Sequence, residues 1–368
     1  MKGDFSRDSF DPAKHFDRLL LQQGRVLTNA DFNEQGAIQR ELLRAFVVDL
    51  VGRRWRVGEG FAIGTATADD FTIGAGRCWL GGLPFENDAA CRYRTQPAGP
   101  APGDGDGGPG RAFVVYLEGW ERTVSAAEDP SLLDPALGGV DTSVRGQLVW
   151  RVRRLGAAAA QALAAPVAAA LGARAAAGDG AGRAALRALT AAADGFAADP
   201  ANCRRADALF DLLESATPAL TVRAAPPGSG SDGAGGYGGL ENRLYRVEID
   251  TPGTAGAATF SWSRDNGATV PAANRAPVVE RTAAAERWIA LEDGIEIQFA
   301  TNGCYNSGDY WTAPARPAIH GVLWPTEADG VTPRALPPRG LCRQRAALAS
   351  VRKSGRAWRV TNYRPRRG

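Results

Sequence analysis

Near residue 57 the spacing of apolar side chains changes from every third or fourth residue to every second one, and the second pattern recurs to the end of the chain. The clearest case is Leu244-Tyr245-Arg246-Val247-Glu248-Ile249-Asp250. There Tyr245, Val247 and Ile249 point one way, and Arg246, Glu248 and Asp250 the other. Such a segment folds as a strand with one face on a core and one face polar. Gly146–Arg153, with Leu148, Trp150 and Val152 on one side, behaves alike, and Arg111–Trp120 is a β-branched and aromatic run. Shorter runs at Gly60–Ile63, Phe71–Ile73 and Cys78–Leu80 precede them. Asn266-Gly267 predicts a hairpin turn, and Glu292-Asp293-Gly294 predicts a second. Asp309–Trp311 and Trp358–Val360 read as further short strands. The expected class is α+β, mainly antiparallel β, with the second half a sandwich or barrel-like sheet.

Two tracts divide the β-rich parts. Residues 156–218 are dominated by alanine and predict two or three helices, broken near Gly178-Asp179-Gly180 and Asp199-Pro200. Residues 225–236 are rich in glycine, serine and proline and predict a boundary, and 99–110 predict an exposed loop. The expected organisation is an N-terminal arm and docking helix (1–56), a β-rich domain (57–155), a helical insertion and linker (156–238), a second antiparallel β domain (239–338) and a basic segment (339–368).

The first 56 residues differ from the rest. Residues 12–21 predict a short helix behind Asp11-Pro12, within an arm carrying Phe5, Phe10 and Phe16. The polar stretch Gln22–Gln35 follows. From Asn33 to Arg54, Ile38, Leu42, Leu43, Phe46, Val47, Leu50 and Val51 recur at helical spacing. Asn29 or Asp31 is the expected N-cap, and Gly52 the stop. An apolar arc this broad needs cover on more than one side, from the β domain or from a second subunit. The expected partner-binding residues are therefore Gln22, Gln23, Arg25, Asn29, Asp31, Asn33, Glu34 and Phe46.

Known chemistry finds little footing. With only His15 and His320, HExxH zinc sites are excluded, and a Ser–His–Asp triad has little to draw on. There is no G-x-S-x-G elbow and no phosphate loop with its lysine. Two G-x-G-x-x-G matches, at Gly103 and Gly233, lie in low-complexity tracts without a following helix. Cys78, Cys91, Cys203, Cys304 and Cys342 form no CxxC pair, so buried free thiols are expected, with no metal and no cofactor. Glu118, Glu121, Glu248, Asp250 and Asp265 are expected on the solvated faces of sheets, and the tryptophans mostly in cores. No apolar run reaches membrane-span length, and no signal peptide follows Met1, so cytoplasmic synthesis is expected.

The net charge of +3 does not call for nucleic acid, but from Arg339 to Gly368 there are ten Lys or Arg and no acid. Aromatic residues are sparse there, so protein–protein contact or a plain solvated face is expected, with Arg356 and Arg359 as partner-binding candidates.

Several stretches carry a resemblance. Met1-Lys2-Gly3-Asp4-Phe5-Ser6-Arg7-Asp8 through Phe16, the Gln22–Gln35 stretch, Ala136-Leu137-Gly138-Gly139-Val140-Asp141-Thr142, Gly239–Ile249, Phe260–Gly267 and Ser307-Gly308-Asp309-Tyr310-Trp311 occur in order along the chain. Together they resemble a family of proteins of unassigned function encoded in gene clusters for contractile injection systems, the phage-tail-like particles of bacteria. This chain departs from the family's signature at Thr28-Asn29 and Phe32. Leu341-Cys342-Arg343-Gln344-Arg345 lacks the family's histidines, so no histidine-based site carries over. The resemblance implies a non-enzymatic structural component near the baseplate, tail or fibre. Its implied partners are other subunits of the particle and further copies of itself, without nucleic acid or direct membrane contact, and the particle is either retained in the cell or released. A second reading is a carbohydrate-binding or carbohydrate-cleaving tip module. A third is a cargo or anchoring protein that grips an acidic partner through the arginine-rich end.

Overall fold

The computed structural model describes residues 7, 9–67, 70–99, 111–176, 178–215, 218–228, 235–253, 255–267, 269–281, 286–300, 305–339 and 342–364. Most of the 99–110 loop and half of the 225–236 tract, together with Phe5 and Cys304, lie outside these residues. The fold is α+β with antiparallel sheets and four helices among the described residues: α1 (Asn29–Val51), α2 (Ala157–Ala176), α3 (Gly180–Ala198) and α4 (Cys203–Ser215). The helices of the alanine-rich tract break where the sequence predicts, at Gly178 and at Asp199-Pro200. The chain divides into two compact units. Unit one is Met1–Ala37, Ala169–Ala184 and Ala216–Leu341; unit two is Ile38–Ala168, Ala185–Ser215 and Cys342–Gly368.

Unit one is built on a five-stranded sheet whose middle is Arg243–Thr251, paired with Thr259–Ser263 on one side and Tyr310–Arg316 on the other. A three-stranded sheet, with Ile295–Phe299 between Leu220–Ala224 and Ile289–Ala290, supplies the other face of the core. Tyr245, Val247 and Ile249 enter that core as their alternation requires. Phe299 stands among aromatic rings, with Phe260, Tyr305 and Trp311 at centroid distances of 5.0, 5.5 and 6.1 Å. Edge-on ring contacts of this kind add to the burial of their area.

The Asp293-Gly294 turn forms as expected, with φ of 50° and 74° and Ile295 N–H donating to the Glu292 carbonyl. This doubly left-handed turn matches the right-handed twist of the strands it joins. Asn266-Gly267 also turns left-handed, at 55° and 89°, but it does not close a two-residue hairpin. Thr259–Ser263 pairs instead with Arg275–Pro277, and Asn266 N–H donates to the Leu244 carbonyl. Leu220–Ala224 precedes the glycine-rich tract of 225–236, so this unit takes in residues before the boundary that tract marks.

In unit two, Ala112–Val124 runs between Arg145–Leu155 and Gln344–Ser354, and Ala357–Asn362 closes the four-stranded sheet. The basic C-terminal segment thus supplies an inner strand and an edge strand. Its alanines Ala346, Ala347 and Ala349 are buried. Small three-stranded sheets, including Arg54–Arg56 with Gly76–Leu80 and Leu83–Asn87, complete the core around Phe61, Phe85, Phe113, Leu117, Trp150 and Val152.

From Gln344 to Ala347 the inner strand has no strand partner on its second side among the described residues, because the closing segment pairs only from Leu348 onward, where Tyr363 N–H donates to the Leu348 carbonyl at 2.7 Å. Side chains take that place. Asp207 of α4 accepts from Ala347 N–H at 2.8 Å, and Glu214 accepts from Arg345 N–H at 2.9 Å. Arg54 Nε donates to the Arg345 carbonyl at 2.5 Å. Asp207, Asp211 and Glu214 lie four and three residues apart, on one face of α4. Arg54 reaches all three carboxylates, at 3.7, 2.6 and 3.5 Å. Burial pushes Asp207 up to about 6 although Arg54 and Ala347 N–H act against it, and burial raises Glu214 as well.

Candidate docking surface

Residues 9–27 are almost without regular structure. The helix expected over 12–21 is reduced to one 3-10 turn, Pro12–Lys14. Asp11 caps it, and His15, at φ 54°, ends it before a second turn can form. Asp11 is also paired with Arg334 at 3.1 Å, and Leu19 N–H donates to Gln35 Oε1 at 2.8 Å. Beyond these ties the arm leaves Phe16, Leu20, Leu21, Val26 and Leu27 exposed.

The polar stretch then makes two local devices. Gln22 to Arg25 is a turn in which Gly24 takes φ 71°, a conformation costly for any other residue. Next, Thr28 and Asp31 form a reciprocal cap. Thr28 Oγ1 accepts from Asp31 N–H at 3.2 Å, and the Asp31 carboxylate accepts from Thr28 N–H and from its hydroxyl at 3.1 and 2.8 Å. This arrangement satisfies helix-end donors in both directions. The hydroxyl hydrogen bond, with the backbone one, holds the Asp31 carboxyl below its ordinary range. The N-cap is therefore Thr28, in place of Asn29 or Asp31, and α1 starts at Asn29, four residues before the expected start. Gly52 ends it as expected, at φ 83° with its N–H on the Val48 carbonyl. Thr28→Ala is expected to lower stability by about 1 kcal/mol, read as a shift of the urea midpoint at unchanged slope.

Only a narrow stripe of α1 is buried: Ala30, Ile38, Val47 and Val51. Within unit two the helix is held by Arg44 Nε on the Gly81 carbonyl at 3.0 Å and by a two-point ion pair of Arg40 with Glu121. The approach is close, since a Cβ on Gly82 would lie 2.7 Å from the Arg44 carbonyl oxygen. The other side of the arc is open. Phe32, Leu42, Leu43, Phe46 and Leu50 are 73, 53, 56, 62 and 64% exposed. Leu43, Phe46 and Leu50 follow a three-then-four spacing, which is the seam one helix offers another.

The residues expected to bind partners fall in three places. Gln22, Gln23, Arg25, Asn29 and Asn33 are exposed along the turn and first helical turn, with Asp31 and Glu34 half-buried beside them. Phe46 lies further along the outer face of α1. Arg356 and Arg359 are exposed on the closing hairpin of unit two, Arg356 in its turn and Arg359 opposite Arg352.

Other expectations need correction. Glu118 is not on a solvated face: its side chain is fully buried. Arg151 Nη2, Arg343 Nη1 and Arg345 Nε reach its carboxylate at 3.0, 3.1 and 3.3 Å, with Arg153 Nη1 at 3.8 Å. Burial pushes this carboxyl up, but Arg345, Arg343 and Arg153 outweigh it and hold it below the ordinary range. Trp120 lies beside the cluster, 5.4 Å from both Arg151 and Arg343. No spacing within one segment announces this site, because its arginines come from two strands about 190 residues apart in sequence. Trp150 and Trp311 are core residues, and Trp262 packs against the core of unit one. Cys78 and Cys203 are buried as expected, Cys91 is half-buried and Cys342 is exposed. No helix among the described residues is long and apolar enough to cross a membrane.

A family model described as a family of unknown function, DUF6519, matches residues 1–286 and 282–362. No curated protein matches the chain, and no solved structure does.

Proposed function

The chain belongs to the DUF6519 family of unknown function, and we propose that it is a non-enzymatic assembly component of a phage-tail-like contractile injection particle, docked to a neighbouring subunit through its arm and the outer face of α1. The observation that carries the reading is the row Leu43, Phe46 and Leu50, more than half exposed on a helix whose opposite stripe is already packed. Covering such side chains stabilises an interface by about 1.5–3 kcal/mol for each one fully buried. The arm adds Leu20, Leu21, Val26 and Leu27 to the surface available. The polar residues Gln22, Gln23 and Arg25 lie between Leu21 and Val26 in the arm and supply directional contacts for register. The sequence resemblance supplies the kind of assembly.

The test is a triple variant, Leu43→Glu with Phe46→Glu and Leu50→Glu, expressed with the rest of its gene cluster. The buried stripe is untouched, so the purified variant is expected to melt within a few degrees of the parent. Its content in isolated particles is expected to fall by at least about tenfold, the equivalent of 1.4 kcal/mol. Particles containing the variant at the parental level would overturn the reading.

A further inference from the structure

The five-stranded sheet of unit one has a second face, away from its core, and it carries a half-open cavity of about 200 Å³ lined by both polar and apolar groups. Its floor comes from alternate residues of two paired strands: Arg246, Glu248 and Asp250 on one, Ser261 and Ser263 on the other. Arg246 is 3% exposed, an unusual burial for a guanidinium. It is stacked on the Tyr310 ring, 3.6 Å from the centroid, and its Nε donates to Glu248 at 2.8 Å. Ser261 donates to Asp250 at 2.9 Å, and Arg275 stands at the rim, 3.8 Å from Asp250. The wall is the turn at Gly267, whose N–H donates to Ser263 Oγ at 2.6 Å, and Val270 beyond it. A Cβ on Gly267 would come within 3.0 Å of Arg246 Cδ, so the turn lies directly on the arginine stem.

These walls select a chemistry. Two arginines against two carboxylates leave no net charge, so neither an anion nor a cation finds a counter-charge in excess. An apolar molecule would strip water from charged groups and return no hydrogen bonds. A hydroxyl both donates and accepts, so one group can serve a carboxylate and a guanidinium at once. Such bonds to ionised partners are the strong ones. The volume corresponds to about seven waters at roughly 30 Å³ each, which is close to the ring and oxygens of a single hexose. Trp262 also borders the cavity, although its place in the strand alternation packs part of it against the core.

From this we infer that the cavity is a binding site for one neutral, hydroxyl-rich sugar unit, gripped by Arg246, Glu248, Asp250 and Ser261. This site is independent of the docking surface, and neither proposal requires the other.

The test uses the full chain and ligand-observed NMR with a panel of free glucose, galactose, mannose and N-acetylglucosamine at millimolar concentration, beside inorganic phosphate and glycine. At least one sugar is expected to give a saturable signal, while phosphate and glycine give none. Asp250→Asn is expected to weaken that sugar by about tenfold or more. Val270→Trp, which narrows the mouth and leaves the buried groups intact, is expected to abolish the signal, with an unchanged circular dichroism spectrum for both variants. No saturable sugar, saturation by phosphate or glycine in place of a sugar, or sugar binding unaltered in both variants would overturn the assignment.

Discussion

Glu118→Gln is expected to be the most damaging single conservative change in unit two. The carboxylate is fully buried, and four arginines converge on it from the two neighbouring strands. Glutamine keeps the shape and removes the charge, leaving four guanidinia facing one another. Removing one partner of a buried ionic cluster costs on the order of 3–5 kcal/mol, a large part of the 5–15 kcal/mol that holds a typical domain. The melting temperature is expected to fall by roughly 10 °C, as read by calorimetry. The sign of the pH dependence follows from the direction of the shift. Glu118 is held below its unfolded value, so its contribution is complete above the ordinary glutamate range and is lost as pH falls through the folded value. The gap between parent and variant should therefore be widest at neutral pH and narrow in acid. A variant as stable as the parent at pH 7 would show that the arginines need no central carboxylate.

Arg54→Met is expected to have a comparable effect, also largest at neutral pH. Arg54 is the cation shared by Asp207, Asp211 and Glu214, and it also bonds the Arg345 carbonyl on the uncovered side of the inner strand. Without it, two buried carboxylates lose their counter-charge, at a cost of about 3–5 kcal/mol at pH 8. In the parent, Asp207 is already raised to about 6, above its unfolded value. The folded state therefore holds a proton there that the unfolded chain has released. The stability this supplies is present in acid and is lost as pH rises through about 6. Removing Arg54 raises Asp207 and Glu214 further, so the variant's deficit should shrink steadily from pH 8 towards pH 4.5. Both proteins carry Glu118, so its opposite trend cancels in the difference. Urea midpoints at three pH values measure this, and a deficit independent of pH would show that the carboxylates are not what Arg54 serves.

Much of this architecture was legible in the residues. Tyr245, Val247 and Ile249 against Arg246, Glu248 and Asp250 fixed which face of their strand is core, because side chains alternate without exception along an extended backbone. Asp293-Gly294 and Gly52 could be placed because left-handed backbone restricts the residue type. The helix breaks at Gly178 and Pro200 follow from the same local rules. The cap was misplaced by a few residues: the reciprocal pair at Thr28 and Asp31 has aspartate where the usual signature has glutamate.

What local rules could not supply was partnership across the chain. Arg339–Gly368 looks like a solvated basic tail when read by charge. Its strand is nevertheless an inner member of the unit-two sheet, and its Arg343 and Arg345 are consumed by Glu118. The spacing of Asp207, Asp211 and Glu214 put three acids on one helical face, but nothing in it named Arg54 or the strand edge of Gln344–Ala347 as their reason. The cavity over Arg246 likewise exists only because two strands and the Gly267 turn meet. The outer face of α1 shows the division most plainly. The sequence alone determined that the helix carries a broad apolar arc, since that depends only on residue type and the helical repeat. Only the tertiary structure decided which side of the arc is spent on the core and which stays open, because that depends on where Gly81, Gly82 and Glu121 lie when the chain has folded.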